Sequence, residues 1–364
     1  MGDTRTAAGE LVPQRENQLQ FLRFLAFLNI YMTHAEVWLF FPYPASHCAT
    51  AAVSFFFMLS GLVTGYSLYA KDIHLSLKAQ GSYLLRKLRR VYPLYALTTL
   101  CAAVFSPLLL QIARLDFASA ADSMVQLLRN LLLIQSWFPE GYLSFNAVGW
   151  FLSTLMFLSL FDLLFCCLLN RFRTLPRHCP FFGLAIAGVL FLITVYCYLT
   201  QELDMGYWQY IFPPARLGEY LAGILLAFFI RSVKPRLSPV KWLRIPATVL
   251  EAGAVWYWFI SLSSPGNYWR NAIVSWLLPN LLLIAVFALG MGWISRLFCC
   301  RPLVRLGDCA FECFLIHNLI VVPITVNCDI QTPLGKAIVF LSCLIFSVLL
   351  ALYLNTAKRP AKPA

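Results

Sequence analysis

Ten separate stretches of mostly apolar residues dominate this chain. Each is close to the roughly 20 residues a helix needs to cross the bilayer hydrocarbon. They lie at about 20–41, 48–69, 91–112, 147–169, 181–200, 211–230, 246–264, 271–293, 308–326 and 336–354. The expected fold class is all-α, a polytopic membrane protein with about ten transmembrane helices. Composition agrees: 60% of residues are hydrophobic and 12% charged, where soluble domains carry roughly 25% charged residues. So little polar surface excludes a disordered protein, a secreted disulfide scaffold and a cytosolic enzyme. Pro93, Pro213, Pro214 and Pro246 fall near span starts, where a missing N–H is tolerated. Pro107, Pro279 and Pro323 fall inside spans and predict kinks.

The net charge of +12 raises nucleic acid as a partner, but the placement of the charges excludes it. With the N-terminus in the cytoplasm, 22 of the 28 Lys and Arg residues lie on the inner side, 4 on the outer side and 2 within spans. Such a bias orients a membrane protein with both termini cytoplasmic. Residues 1–18 then form a polar cytoplasmic N-terminus, 19–354 the transmembrane domain and 355–364 a basic cytoplasmic tail. The first span starts late and carries Arg23 and His34, so an uncleaved anchor is expected and no cleaved signal peptide. The longest outer segment is 113–146, and its stretch Leu127–Phe138 is apolar enough for an interfacial helix. The twelve cysteines lie scattered through apolar spans, lack zinc-type spacing and read as reduced small hydrophobes. No metal is expected.

Ionisable groups within spans are costly and so are functional candidates. They are Arg23, His34, Glu36, Asp162, Arg216, Glu219, Glu251, Glu312 and His317. Arg23 and His34 are 11 residues apart, which at 100° per residue is three turns plus about 20°, so they share a face about 16 Å apart along the axis. Tyr31 lies on the same side as His34. The alternative is a snorkelling Arg and a hydrogen-bonded core His. Arg216 and Glu219 are three apart and can pair on one face, with Gly223 on that face allowing close approach of a helix or ligand. A purely structural ion pair fits equally. His317 lies mid-span about 140° round the helix from Glu312, so those two form no obvious dyad. Asp162 and Glu251 read as packing or boundary groups.

The run Arg86-Lys-Leu-Arg-Arg90-Val-Tyr-Pro93 is basic and abuts the third span. Arg86 and Arg90 share a face and suit a phosphorylated ligand. Topology setting and anionic-lipid contact are the alternatives.

Taken in order, these segments resemble the acyltransferase type 3 family of integral membrane acyltransferases. Arg23…His34 is similar to its Arg-ten residues-His element. Val53-Ser-Phe-Phe-Phe-Met-Leu-Ser60-Gly61 resembles its aromatic stretch ending in Leu-Ser-Gly, and Arg90-Val-Tyr-Pro93 its Arg-Ile-Tyr-Pro. Asn130-Leu-Leu-Leu-Ile-Gln135, Gly149-Trp150-Phe-Leu-Ser153, Arg216…Glu219…Gly223 and Leu315-Ile-His317 resemble its later blocks. The resemblance covers about residues 18–330. One departure is Leu155, near where many members carry a Glu; if that Glu serves a particular acceptor, this chain is expected to use another. The chain resembles the form without a fused extracytoplasmic hydrolase-like domain.

The resemblance implies O-acyl transfer, usually of acetyl, from cytoplasmic acyl-CoA to a hydroxyl of a surface polysaccharide, glycolipid or related acceptor. It implies a multi-pass protein of the cell membrane, in contact with lipid. His34 is the expected general base, because imidazole titrates near neutrality. Arg23, Arg216, Glu219 and His317 are the other catalytic candidates. Arg86, Arg89, Arg90 and Tyr92 are the candidates for binding CoA. Ser60, Trp150 and Tyr31 are the candidates for lining the substrate path, although aromatic stripes more often pack. The rival readings are a transporter or flippase, and an acyltransferase-like protein without chemistry.

Overall fold

In the computed structural model, the described residues are 16–39, 49–105, 119–173, 178–237, 241–262, 274–327 and 330–357. The Glu36 side chain, Pro107 and the chain ends 1–15 and 358–364 lie outside them. Among the described residues there is no strand, and fourteen α-helices carry the fold. They are α1 (Gln18–Leu39), α2 (Ala49–Leu68), α3 (Leu77–Val104), α4 (Ala120–Leu131), α5 (Trp150–Leu158), α6 (Asp162–Phe172), α7 (His178–Leu199) and α8 (Leu217–Leu237). Then follow α9 (Arg244–Leu262), α10 (Val274–Leu289), α11 (Trp293–Phe298), α12 (Arg301–Asp308), α13 (Ala310–Asn327) and α14 (Pro333–Ala357).

Four segments are long and apolar enough to cross a membrane: Ala49–Leu68, Ala147–Phe172, Cys179–Leu199 and Pro333–Ala357. The bent pair Arg301–Asp308 and Ala310–Ile324, at 57°, makes a fifth if it is one span. α8, which holds Glu219, Arg231 and Lys234, and α1, which holds Arg23 and His34, do not pass this test, whereas Ala147–Phe172 passes with the buried Asp162 inside it. The segment 147–172 is not one uniform helix. A 3-10 turn, Ser159–Phe161, separates α5 from α6.

α3 differs from the expected start of the third span. It runs unbroken from Leu77, with the Ser76 hydroxyl capping Ala79 N at 3.1 Å, so the basic run is the first half of the same helix. Lys, Leu and Arg are good helix formers, which favours the continuation. Pro93 is therefore inside the helix, where its missing N–H leaves the carbonyl one turn earlier without its usual partner. Pro213 and Pro214 do open a turn, the 3-10 segment Pro213–Arg216 ahead of α8.

α2 and α8 form the centre. A Cβ at Gly61 would overlap the Tyr220 carbonyl, and one at Gly223 the Met58 carbonyl, so these two glycines set the backbone-to-backbone contact. α7 covers the far side of α8, α1 packs on α2, α12 and α13, and α14 lies outside α13. The apolar window of α2 is 72% buried and that of α14 17%, which separates a core helix from a peripheral one facing the apolar surroundings.

Candidate functional site

Gly307 in α12 sits against the Gln20 carbonyl, where a side chain would collide. α12 leads into α13, which packs on α1 and brings together two histidines 283 residues apart. His34 Nδ1 lies 2.8 Å from His317 Nε2, and the rings meet edge to edge and nearly coplanar, with centroids 5.1 Å apart and 7° between their planes. His317 is fully buried and His34 half-buried. Phe27 and Tyr31 meet the His317 ring edge-on at 5.6 and 6.1 Å.

The backbone fixes which nitrogens carry protons. His317 Nδ1 faces two carbonyl oxygens, Phe314 at 2.8 Å and Cys313 at 3.1 Å. A carbonyl only accepts, so His317 Nδ1 is the N–H. In neutral His317, Nε2 is then a lone pair and accepts the N–H of His34 Nδ1. That leaves the lone pair of His34 on Nε2, so α13 sets the tautomer of a base on α1. The Asn318 side chain also reaches the His34 ring.

A wall of rings runs from this pair to the buried cation. His317 meets Phe314 at 6.2 Å, Phe314 meets Phe151 at 5.7 Å, and Phe151 meets Phe57 at 4.5 Å. The guanidinium of Arg216 lies over Phe57 at 4.8 Å and over Tyr210 at 5.3 Å. Trp150 closes the far side, 5.1 Å from Tyr210. Arg216 and Glu219 pair as the spacing predicts, Nη2 to Oε2 at 3.0 Å with both side chains fully buried. Ser54 Oγ donates to Glu219 Oε1 at 2.5 Å. Yet none of the Arg216 nitrogens finds an acceptor in hydrogen-bonding geometry among the described residues. A fully buried guanidinium held by an ion pair and two ring faces, with N–H groups to spare, suits a carbonyl or an oxyanion.

Of the other candidates Tyr31 borders the histidine pair, and the rest make their own contacts. Arg23 Nη1 donates to Gln20 Oε1 at 3.1 Å, toward the start of α1. Tyr31 is fully buried and its hydroxyl donates to the Phe340 carbonyl at 2.7 Å. Arg86, Arg89 and Arg90 are exposed on the first half of α3, and the Tyr92 hydroxyl donates to the Leu131 carbonyl at 3.0 Å. Ser60 and Leu155 are half-buried. Among the described residues, no group of three or more His, Cys, Asp or Glu is placed to hold a metal.

Two clusters were missed by sequence reasoning. Asp162, which the sequence presents as a packing or boundary group, is fully buried against Lys87 Nζ at 2.5 Å. It accepts the hydroxyls of Tyr83 and Tyr220, both at 2.8 Å. Lys87 Nζ also reaches Ser159 Oγ at 3.1 Å and Thr64 Oγ1 at 3.3 Å. A signal existed: at 100° per residue Lys87 lies about 100° round from Arg86 and about 160° from Arg89, off the centre of the arginine face. Glu251 accepts the N–H groups of Gly292, Ile294 and Ser295 at 2.9, 3.0 and 3.1 Å, plus the Ser295 hydroxyl. It ties α9 to the start of α11.

The sequence profile of a family described as an acyltransferase domain matches residues 16–355. The chain is 26% identical over 286 residues to "Acyltransferase MdmB" of Streptomyces mycarofaciens, an alignment covering 74% of this chain and 67% of that protein. No solved structure matches.

Proposed function

The chain belongs to that acyltransferase family, and from this premise we propose a ten-span membrane O-acyltransferase. It moves an acyl group, acetyl by the resemblance, from cytoplasmic acyl-CoA to a hydroxyl of a surface polysaccharide, glycolipid or related acceptor. The observation that carries the reading is the histidine pair, whose carbonyl-fixed tautomer turns a lone pair of His34 outward from His317.

In this reading the acceptor hydroxyl gives its proton to His34 Nε2 as its oxygen attacks the thioester carbonyl carbon. His317 holds the imidazole in place, and its Phe314 and Cys313 carbonyl partners keep the pair in register. Charge gathering on the carbonyl oxygen meets the spare N–H groups of Arg216. The C–S bond then breaks, and the proton on His34 passes to the departing thiolate. Arg86, Arg89 and Arg90 take the CoA phosphates at the cytoplasmic end of α3. Trp150 and the Phe55–Phe57 stretch wall the acyl path.

Purified full-length protein in lipid nanodiscs, given acetyl-CoA and a panel of glycosides, is expected to release free CoA and to acylate the glycoside. Translocation of a lipid-linked glycan with no CoA release supports a flippase instead. The orientation is tested separately with Lys78→Cys and Ser119→Cys in a background lacking reactive native thiols. An impermeant thiol reagent applied to intact cells should label position 119 and not position 78.

A further inference from the structure

From α4 to the start of α5 the chain buries a series of polar side chains instead of apolar ones. Gln126, Asn130, Gln135, Ser136, Ser144 and Asn146 are all 5% exposed or less. Most of their polar atoms are paired internally. Asn130 Nδ2 donates to Ser144 Oγ at 2.8 Å, Ser136 Oγ to the Trp150 carbonyl at 2.8 Å, and the Tyr95 hydroxyl to the Asn130 carbonyl at 2.8 Å. Two amide oxygens stand out because their orientation is settled and they receive nothing. Asn146 Nδ2 faces the Leu315 carbonyl at 3.0 Å, which can only accept. The nitrogen of that amide is thus fixed, and Asn146 Oδ1 points the other way. Gln135 Nε2 donates to the Tyr95 hydroxyl at 3.0 Å, whose own proton is committed to the Asn130 carbonyl. Gln135 Oε1 is fixed by the same logic. Neither oxygen accepts a hydrogen bond from any described residue, and buried polar atoms rarely stay unpaired.

Both amides follow strained backbone. Leu133 and Phe145 have φ of +57° and +59°, a region non-glycine residues seldom adopt and retain mostly at working sites. The placement fits the chemistry. Asn146 hangs on α13 two residues before His317. Gly149, between Asn146 and the Trp150 wall, packs on Tyr95 and Gln135.

We propose that Gln135 Oε1 and Asn146 Oδ1 form the acceptor subsite and receive hydrogen bonds from hydroxyls of a polyhydroxyl ligand. Both unmet groups are acceptors, so the ligand must donate. Both are neutral amides, and neither charge flanking them on the segment, Arg129 over the Phe138 ring at 3.8 Å or the exposed Glu140, is the buried carboxylate that a buried ammonium would need. The inference rests on the acyl-transfer reading and adds where the acceptor is held.

The test uses full-length protein in nanodiscs with acetyl-CoA and two kinds of acceptor, methyl glycosides of glucose, mannose and galactose, and butan-1-ol. The readout is the ratio of glycoside-stimulated to butanol-stimulated CoA release, each per KM. Loss of two neutral hydrogen bonds corresponds to about a tenfold change. Gln135→Leu and Asn146→Leu should each lower the ratio severalfold, and together about tenfold. Gln135→Glu, which keeps an acceptor oxygen, should hold the ratio near wild type. Equal loss with butanol and glycosides in the Leu variants means a packing role and overturns the subsite. So does a wild-type protein with no preference for glycosides, the result expected if these oxygens bind water only. No CoA release from wild-type protein under any condition sinks the acyl-transfer reading itself, and the subsite with it.

Discussion

His34 Nδ1 and His317 Nε2 stand 2.8 Å apart, on helices α1 and α13 that pack together beside the close approach of Gly307 in α12 to the Gln20 carbonyl. The parallel rings make one unit with a defined proton order: two backbone carbonyls hold the His317 N–H, His317 accepts from His34, and His34 presents its remaining lone pair. A base so placed needs no carboxylate to orient it. The orienting group is another imidazole, anchored on main chain.

The two histidines should therefore respond differently to the same substitution. His317 acts as an acceptor toward His34, and a glutamine oxygen can take that role. His317→Gln should keep much more activity than His317→Leu, which should lose about 10–100-fold through misplacement of the base. Donor KM should stay unchanged in both. Equal losses in the two variants would show that His317 does more than position His34.

Arg216 and Glu219 are both fully buried. Removing either leaves an uncompensated charge, at a cost of about 3–5 kcal/mol. Arg216→Met and Glu219→Leu should each lower the amount of folded protein recovered from membranes. The double variant should recover folded protein and remain inactive, since the guanidinium is gone. Activity in the double variant would remove Arg216 from the chemistry.

The Lys87–Asp162 pair should behave as an anchor for α3. Lys87→Met strands a buried carboxylate that also accepts two tyrosine hydroxyls, a loss of about 2–3 kcal/mol. Thermal unfolding in detergent should show a lower midpoint for Lys87→Met, largely restored by adding Asp162→Asn. A midpoint unmoved by Lys87→Met contradicts the anchor.

Arg86 and Arg90 lie exposed on one face of α3. Arg86→Ala and Arg90→Ala should each raise the Kd for CoA severalfold, while CoA lacking its 3′-phosphate should bind both variants and wild type more alike. Unchanged affinity in both variants returns the cluster to topology setting and lipid contact.

Local periodicity made the Arg216–Glu219 pair and the close approach at Gly223 legible in the sequence, because partners three or four residues apart obey helical geometry. The run of apolar segments made the all-helical architecture legible for the same reason. Period says nothing about which helices meet, so His34 with His317 and Lys87 with Asp162 were out of reach. Asp162 was read as a packing group because its partner lies 75 residues away. Glu251 was read the same way, since backbone N–H donors such as that of Gly292 carry no sequence signature. The split of residues 147–172 into α5 and α6 was hidden because an apolar 3-10 turn has the same composition as the helices around it.

Every later step of the transfer depends on His34 taking the acceptor proton. The most direct measurement is single-turnover acetyl transfer by purified His34→Ala and His34→Gln, with acetyl-CoA affinity and thermal midpoint measured on the same samples. Both variants should bind acetyl-CoA as wild type does and transfer about 10²–10⁴-fold more slowly, with Gln no better than Ala because an amide cannot take a proton. Transfer by His34→Gln within a few fold of wild type would contradict the claim and make His34 a positioning residue, with the base sought elsewhere.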